Sequence, residues 1–340
     1  WGSFPVITTI AKTITSENIN EVYPTYYPPR KTPKECYEQI IADLTDAEQY
    51  APDNDNSDRT KMTKTVAQAM LAKVYAEKEV QDYDKVIAYA DKVMKTTGVE
   101  LEDSYETLWG YDETAKDCMK RNTKEGILEV HWTTGSGNWE TWMYGRQLDN
   151  WDYYFTWAKW ITPSRDIIND FDKEGDEVRK NQAIVYYACT WSNYYPASNY
   201  PFMYKLRSSY NNIYWVRLAD IILMKAEAEA YKGNLAESAK LVNQIRKRAK
   251  LKELTSDKTG SKESMIEAVL HERRLELAFE GERWFDLCRN NKVEKYLNGI
   301  DNRDSGRIRQ VRQFDSNSYL LPIPQTALDQ NTNLEQNPGY

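Results

Sequence analysis

Histidine is nearly absent from this 340-residue sequence: His131 and His271 are the only two. That argues against a histidine-built zinc centre. The run His271-Glu272-Arg273-Arg274-Leu275 carries leucine where a zinc-binding helix needs its second histidine. Cysteine is sparse too. Cys36, Cys118, Cys189 and Cys288 lie more than 70 positions apart, with no Cys-x-x-Cys, so neither a zinc ribbon nor a disulfide scaffold is written here. No apolar stretch approaches the ~18 residues of a membrane-spanning helix. Positive charge is not in excess: 45 Lys and Arg stand against 52 Asp and Glu, a net −7, which excludes the basic footprint of a nucleic-acid partner. The basic run Arg246-Lys247-Arg248 belongs to a helix face, where charge is ordinarily just solvated.

Catalytic signatures are missing as well. Gly135-Ser136-Gly137 lacks the Gly-Lys-Ser/Thr that completes a phosphate loop, and no Gly-x-Ser-x-Gly occurs. Residues 53–58 are rich in Asp and Asn like a calcium loop. However, Asp58 stands at the sixth position where that loop needs glycine, and Lys64 at the twelfth where it needs glutamate. A polar interhelical turn is the better reading. Between 272 and 283 there are carboxylates enough for a glycosidase pair. Arg273, Glu276 and Glu280 share one helical face at i, i+3 and i+7, which predicts internal ion pairing instead. The sequence therefore reads as a non-enzyme without metal or cofactor.

What the chain has in quantity is aromatic residues, 13% of the total, with 25 Tyr and 11 Trp but only 7 Phe. Rings with a polar handle suit half-wet surfaces better than dry cores. They are also clustered. Residues 139–160 hold Trp139, Trp142, Tyr144, Trp151, Tyr153, Tyr154, Phe155, Trp157 and Trp160. Residues 186–215 add Trp191, Tyr194, Tyr195, Tyr200 and Tyr210 among Asn193, Ser198 and Asn199.

Along the chain, five prolines in residues 1–33 rule out long helices. Thr32 is placed to cap a helix with Pro33 in its first turn, and apolar residues then recur at Tyr37, Ile40, Ile41, Leu44, Ala47 and Tyr50, a period near 3.6. Alanine-rich segments predict a helical hairpin over about 63–97, closing at Gly98, and a second over 214–250, with a helix from Tyr214 to Tyr231 and a turn at Gly233-Asn234. A further helix is predicted over 263–280, and a short strand over 127–132. The reading divides the chain into a helical part (1–98), a loop-rich and aromatic-rich insertion (99–213) and a second helical part (214–340), together one compact domain. Trp1 is not an initiator residue, so the chain is expected to be processed or clipped.

At Leu218-Ala219-Asp220-Ile221-Ile222-Leu223-Met224-Lys225-Ala226-Glu227-Ala228 a resemblance begins. It sharpens through Val242-Asn243-Gln244-Ile245-Arg246-Lys247-Arg248-Ala249 and peaks over residues 271–287, at Glu272-Arg273-Arg274-Leu275 and Phe279-Glu280-Gly281-Glu282-Arg283-Trp284-Phe285-Asp286-Leu287. It closes with Leu321-Pro322-Ile323-Pro324-Gln325 and Gln336-Asn337-Pro338-Gly339-Tyr340. This ordered series resembles the C-terminal half of the SusD/RagB family of outer-membrane nutrient-binding lipoproteins. Weaker matches at Gly2-Ser3-Phe4-Pro5-Val6, residues 36–47, Ile127-Leu128-Glu129-Val130 and Thr162-Pro163-Ser164-Arg165-Asp166 extend it over the whole chain. The resemblance implies a mainly α fold of four tetratricopeptide-like (TPR-like) helical hairpins cradling a variable ligand-binding region. It further implies a bacterial cell-surface protein that passes oligosaccharide or polysaccharide to a SusC-like TonB-dependent transporter. Membrane attachment is expected only through an N-terminal lipid anchor, which this sequence lacks along with the family's first helical repeat.

A sugar ring offers weakly apolar C–H faces and polar rims, so it asks for a flat aromatic surface flanked by amides and charged groups. Trp139 and Trp142 follow the turn Gly135-Ser136-Gly137-Asn138, and Trp191, Tyr194 and Tyr195 sit among loop-forming residues; these five are the expected platforms. Asn138, Asn193 and Arg146 are the expected polar partners. Trp157 and Trp160 are assigned to the core, as are Trp284 and Phe285. If each ring contributes ~1 kcal/mol, two or three rings with a few exposed hydrogen bonds reach about 4–6 kcal/mol, a high-micromolar to millimolar dissociation constant. Weak binding suits a protein that must hand its cargo on. A peptide-binding member of the same family is the alternative, and a helical glycoside hydrolase a more distant one.

Overall fold

The computed structural model describes residues 2–112, 114, 117–132, 161–189, 192–205, 207, 212–304 and 310–340. The first long helix, α1, runs from Pro33 to Tyr50. Thr32 and Glu35 close a reciprocal capping box at its start, the Thr32 hydroxyl accepting from the Glu35 amide and the Glu35 carboxylate from the Thr32 amide. These bonds from Thr32, helped by Lys31, hold the Glu35 carboxyl down at about 2. The predicted hairpin follows as α2 (Lys64–Ala76) and α3 (Tyr83–Met94). Ala67, Ala69, Ala72 and Ala76 are all buried, and their small size lets α2 sit between its neighbours. The interhelical turn before α2 is tied by the buried Arg59, which donates to Asn54, Asn56 and the Gly98 carbonyl. The acidic residues there are spent internally: Asp55 accepts from Ser57 and Lys61, and Asp58 from Thr60. No grouping of three or more His, Cys, Asp or Glu suited to a metal occurs among the described residues.

The centre of the molecule is α7 (Leu218–Lys232), whose residues 218–230 are all buried. A helix covered on every side must be apolar all round or bring its charges to partners. It does both. Ile221, Ile222, Leu223 and Ala226 fill the main core, while Asp220 meets Lys73 and Arg273 at 2.7 Å each and Glu227 meets Arg289 at 2.6 Å. Gly233, at φ 85°, turns the chain into α8 (Leu235–Arg248), and α9 (Lys262–Glu276) packs across both. No helix among the described residues is long and apolar enough to cross a membrane.

Two boundaries differ from the sequence reading. Residues 212–217 form a strand, β4 (Asn212–Arg217), instead of the start of a helix, and pair antiparallel with β1 (Gly126–His131), Glu129 opposite Tyr214. The run Ile213-Tyr214-Trp215-Val216 is β-branched and aromatic, and it finds a partner strand that periodicity could not reveal. At the other end α9 stops at Glu276, not Glu280, because the backbone reverses through Phe279 at φ 67° and Gly281 at φ 89°. The region read as loop-rich also holds regular structure: α5 (Arg165–Glu174), α6 (Glu177–Ala183) and the antiparallel hairpin β2 (Ile184–Tyr187) with β3 (Tyr200–Met203). Ser164 caps α5, and Ile167 and Phe171 bury its apolar face against Leu275 and Ala278. The short helix α4 (Tyr105–Trp109) lies near α6, and α10 (Arg283–Arg289) follows the reversal after α9.

The charges of residues 272–282 are paired internally, but across elements instead of along one helix. Glu276 is fully buried beside Arg179, Arg217 and Arg248. Burial pushes its carboxyl up, yet the three guanidinium groups outweigh that and hold it well below the usual range. Arg217 also reaches Glu125 at 2.8 Å and Glu280 at 2.7 Å, and Glu272 bridges Arg179 and Arg246. A lattice of buried ion pairs thus joins β1, α6, α8, α9 and the junction of β4 with α7.

Candidate ligand-binding cavity

Where α5, the β2–β3 hairpin and the reversal after α9 approach one another, they leave a cavity of about 800 Å³. Its apolar wall includes Ile161, Ile167, Met203 and Leu277, and its rings include Tyr194, Phe279 and Trp284. Ile161 and Thr162 directly follow the first aromatic-rich segment, while Ser192, Tyr194 and Tyr200 come from the second. The second of the two segments singled out by composition therefore reaches this cavity, while residues 139–160 of the first lie outside the described residues.

Tyr194 is the predicted platform that the structure places on the wall. Its hydroxyl donates to Asp304 at 2.9 Å, and its ring meets Tyr195 edge-on with centroids 5.0 Å apart. Arg165 lies over both rings, 4.6 Å from one centroid and 4.1 Å from the other, and its guanidinium pairs with Asp304 at 2.9 Å. Tyr195 stands behind this arrangement. It is buried, donates its hydroxyl to the Pro163 carbonyl at 2.6 Å, and packs against Tyr200. Burial pushes its phenol well above the ordinary value. Asn193 is exposed. Asn138, Trp139, Trp142, Arg146 and Trp191 lie outside the described residues, as do Trp157 and Trp160.

Trp284 and Phe285 do not plug a core. Phe285 is 57% exposed, and Trp284 is half-buried on the cavity wall, its ring 5.9 Å from that of Phe314. The reversal through Phe279 and Gly281 ends α9 one turn early and swings the following residues onto the cavity side. A bulky residue at positive φ is a true outlier, and strain of this kind is held only where the surroundings fix it.

Three arginines reach the wall from this same corner. Arg273 is saturated by Asp220 and Asp286, and Arg274 by Asp166 and Asp170. Arg283 has no carboxylate partner among the described residues; one amino group donates to the Leu270 carbonyl at 3.1 Å and its centre lies 4.8 Å from the Tyr296 ring centroid. Burial first, and then the neighbouring Arg274, lower its pKa to about 10. The wall's two carboxylates, Asp286 and Asp304, are both engaged by guanidinium groups.

The family is decided by a match over most of the chain. A family model described as "SusD family" matches residues 54–340, and one described as "Starch-binding associating with outer membrane" matches residues 1–76. The chain belongs to the SusD family. SusD-like protein P2 of Formosa agariphila is 28% identical over 91% of this chain and 66% of its own length. A SusD superfamily protein of Parabacteroides distasonis superposes over the whole chain and 74% of its own, with a TM-score of 0.74 at 24% identity. A laminarin-binding SusD-like protein superposes over 99% of this chain and 74% of its own, with a TM-score of 0.70 at 23% identity. The chain thus spans about two thirds of the length of the curated relative P2. The cavity is framed by residues between Leu277 and Asp286, after α9, and by residues between Ile161 and Met203. Composition located the second group. The first escaped because a recurrent Arg-Trp-Phe-Asp run reads as packing until the φ values at 279 and 281 are known.

Proposed function

We propose that this SusD-family protein captures oligosaccharide or polysaccharide at the bacterial cell surface, binding it in the cavity beside Tyr194 and Trp284, and delivers it to a SusC-like TonB-dependent transporter. The observation that carries the reading is one cavity that brings together an indole, Trp284, a phenol, Tyr194, and further residues of the second aromatic-rich segment. Flat rings match the C–H faces of sugars, and Ser164, Thr162 and Ser192 provide hydroxyls for the polar rim. The proposal includes Trp139, Trp142 and Trp191 as further platforms, with Asn138, Asn193 and Arg146 as polar partners, and Tyr195 as the ring that supports Tyr194. The laminarin-binding neighbour supports a glycan over a peptide. Surface attachment through an N-terminal lipid anchor belongs to the same proposal, with the outer-membrane association in the second family description as its support. The engagement of Asp286 and Asp304 by arginines supports binding over hydrolysis, since neither is left to act as general acid or base.

Affinity electrophoresis of the protein in gels containing a panel of polysaccharides tests the reading. Retardation by at least one glycan, reduced by Trp284→Ala and Tyr194→Ala, is expected. Retention unchanged in both variants moves the site elsewhere, and no retention by any glycan overturns the function.

A further inference from the structure

We infer that the cavity selects an acidic glycan, one whose sugar carries a carboxylate or sulfate, and that Arg283 is the group that recognises it. The inference rests on the glycan-binding reading above and names the substrate class.

Arg283 differs from its neighbours in what it is bonded to. Arg273 and Arg274 each meet two carboxylates, and Arg165 meets Asp304, so among the described residues the cationic groups around the cavity are neutralised with one exception. Among the described residues the Arg283 guanidinium touches a backbone carbonyl, that of Leu270, and an aromatic face, that of Tyr296, and no carboxylate. Those contacts fix its position without neutralising its charge. Most of its N–H donors remain for something else, in a planar fork that matches a carboxylate or sulfate. The carboxylates near enough to act on it at longer range, Asp170 and Asp286, are already bound by Arg274 and by Arg273 and Arg289.

The surroundings sharpen the demand. A half-buried cation beside a second arginine is disfavoured by desolvation and by like charge, the two effects that pull its pKa down. A neutral sugar hydroxyl relieves neither. An anion relieves both, and a charge-assisted fork is about twice as strong as a neutral hydrogen bond. Trp284 adjoins Arg283 in sequence and lines the same cavity, so ring stacking and anion pairing serve one residue of the ligand.

The test compares oligogalacturonate, a sulfated galactan oligosaccharide and neutral oligosaccharides of equal length by titration calorimetry. Wild type is expected to bind at least one acidic probe about tenfold more tightly than any neutral one. Raising salt to about 0.5 M is expected to erase most of that margin. Arg283→Gln is expected to remove the preference, and Arg283→Lys to retain part of it. The two acidic arms tell carboxylate from sulfate. Neutral probes bound as tightly as acidic ones by wild type overturn the inference and leave the glycan reading standing, whether or not the variants fold. An acid preference that survives in a folded Arg283→Gln protein also overturns it. Binding of acidic peptides alone, with no glycan bound, overturns both.

Discussion

The Asp304 carboxylate takes the Tyr194 hydroxyl on one oxygen and the Arg165 guanidinium on the other, so one buried charge fixes both a cavity ring and the cation stacked upon it. Asp304→Asn leaves Arg165 without its counter-charge and loosens Tyr194. We expect a stability loss of about 2 kcal/mol and several-fold weaker glycan retention. Tyr194→Phe removes only the hydroxyl and is expected to cost about 1 kcal/mol. Calorimetric unfolding beside affinity electrophoresis checks both. Unchanged retention by a folded Asp304→Asn protein separates this triad from the binding site.

Neighbouring aromatics on α10 give a direct contrast. Trp284→Ala is expected to weaken glycan binding by about tenfold, since stacking contributes ~1 kcal/mol or more. Phe285→Ala, at a 57% exposed ring, is expected to shift stability by no more than about 0.5 kcal/mol and to leave binding alone. Equal effects from the two would place the ligand outside this cavity.

The buried ion pairs predict a steep acid transition. Contacts with their cationic partners, outweighing burial, hold Glu276 and Asp220 well below the ordinary carboxylate range in the folded state, and lower Asp286 as well. A hydrogen bond from His271, with Arg246 beside it, holds Glu174 at about 2. Carboxyls depressed in this way contribute stability that is complete above their unfolded values and is lost as pH falls through the folded ones. Asp176 and Glu282, raised by burial, act in the opposite sense and are fewer. Denaturant midpoints are therefore expected to hold near neutrality and to fall between about pH 4.5 and 2. A midpoint flat over that window would contradict the charge state assigned to Glu276.

Removing one member of the lattice should cost more than a surface change. Arg217→Met leaves Glu276 with Arg179 and Arg248 and Glu280 with Lys205 alone, and is expected to destabilise by about 3 kcal/mol. Urea unfolding measures it, and a loss under about 1 kcal/mol would show the lattice to be dispensable.

Gly98 offers a backbone test. It sits at φ 78°, and an added Cβ would lie 2.1 Å from Asn56 Nδ2, within the turn that Arg59 ties together. Gly98→Ala is expected to cost more than about 1 kcal/mol.

The helical frame was legible because caps and periods agree. Thr32 with Glu35, the alanines of α2 and Gly233 after α7 all state their roles in the sequence. What periodicity missed are places where a long-range partner decides. Residues 212–217 become strand because β1 lies beside them, and α9 ends early because the chain reverses at Phe279. For the cavity, composition found Tyr194 but could not tell wall from support, which separates it from Tyr195 by burial alone. Trp284 and Arg283 were hidden in a motif whose packing role seemed sufficient.

The buried lattice also bears on how the chain reaches its fold. Glu125 meets Arg217 and Arg248 across 92 and 123 positions, and Arg179 meets Glu272 across 93. Each pair closes a long loop, and the lattice is complete only when residues 125 and 276 have come together through Arg217 and Arg248. Loop-closure entropy must be met before those contacts repay it, which makes folding slow and late-assembling. A fragment ending before α9 leaves Arg179 without Glu272, and Arg217 without Glu276 and Glu280. Proteolytic pieces of this region should therefore stay unfolded, and the intact chain should unfold in a single step.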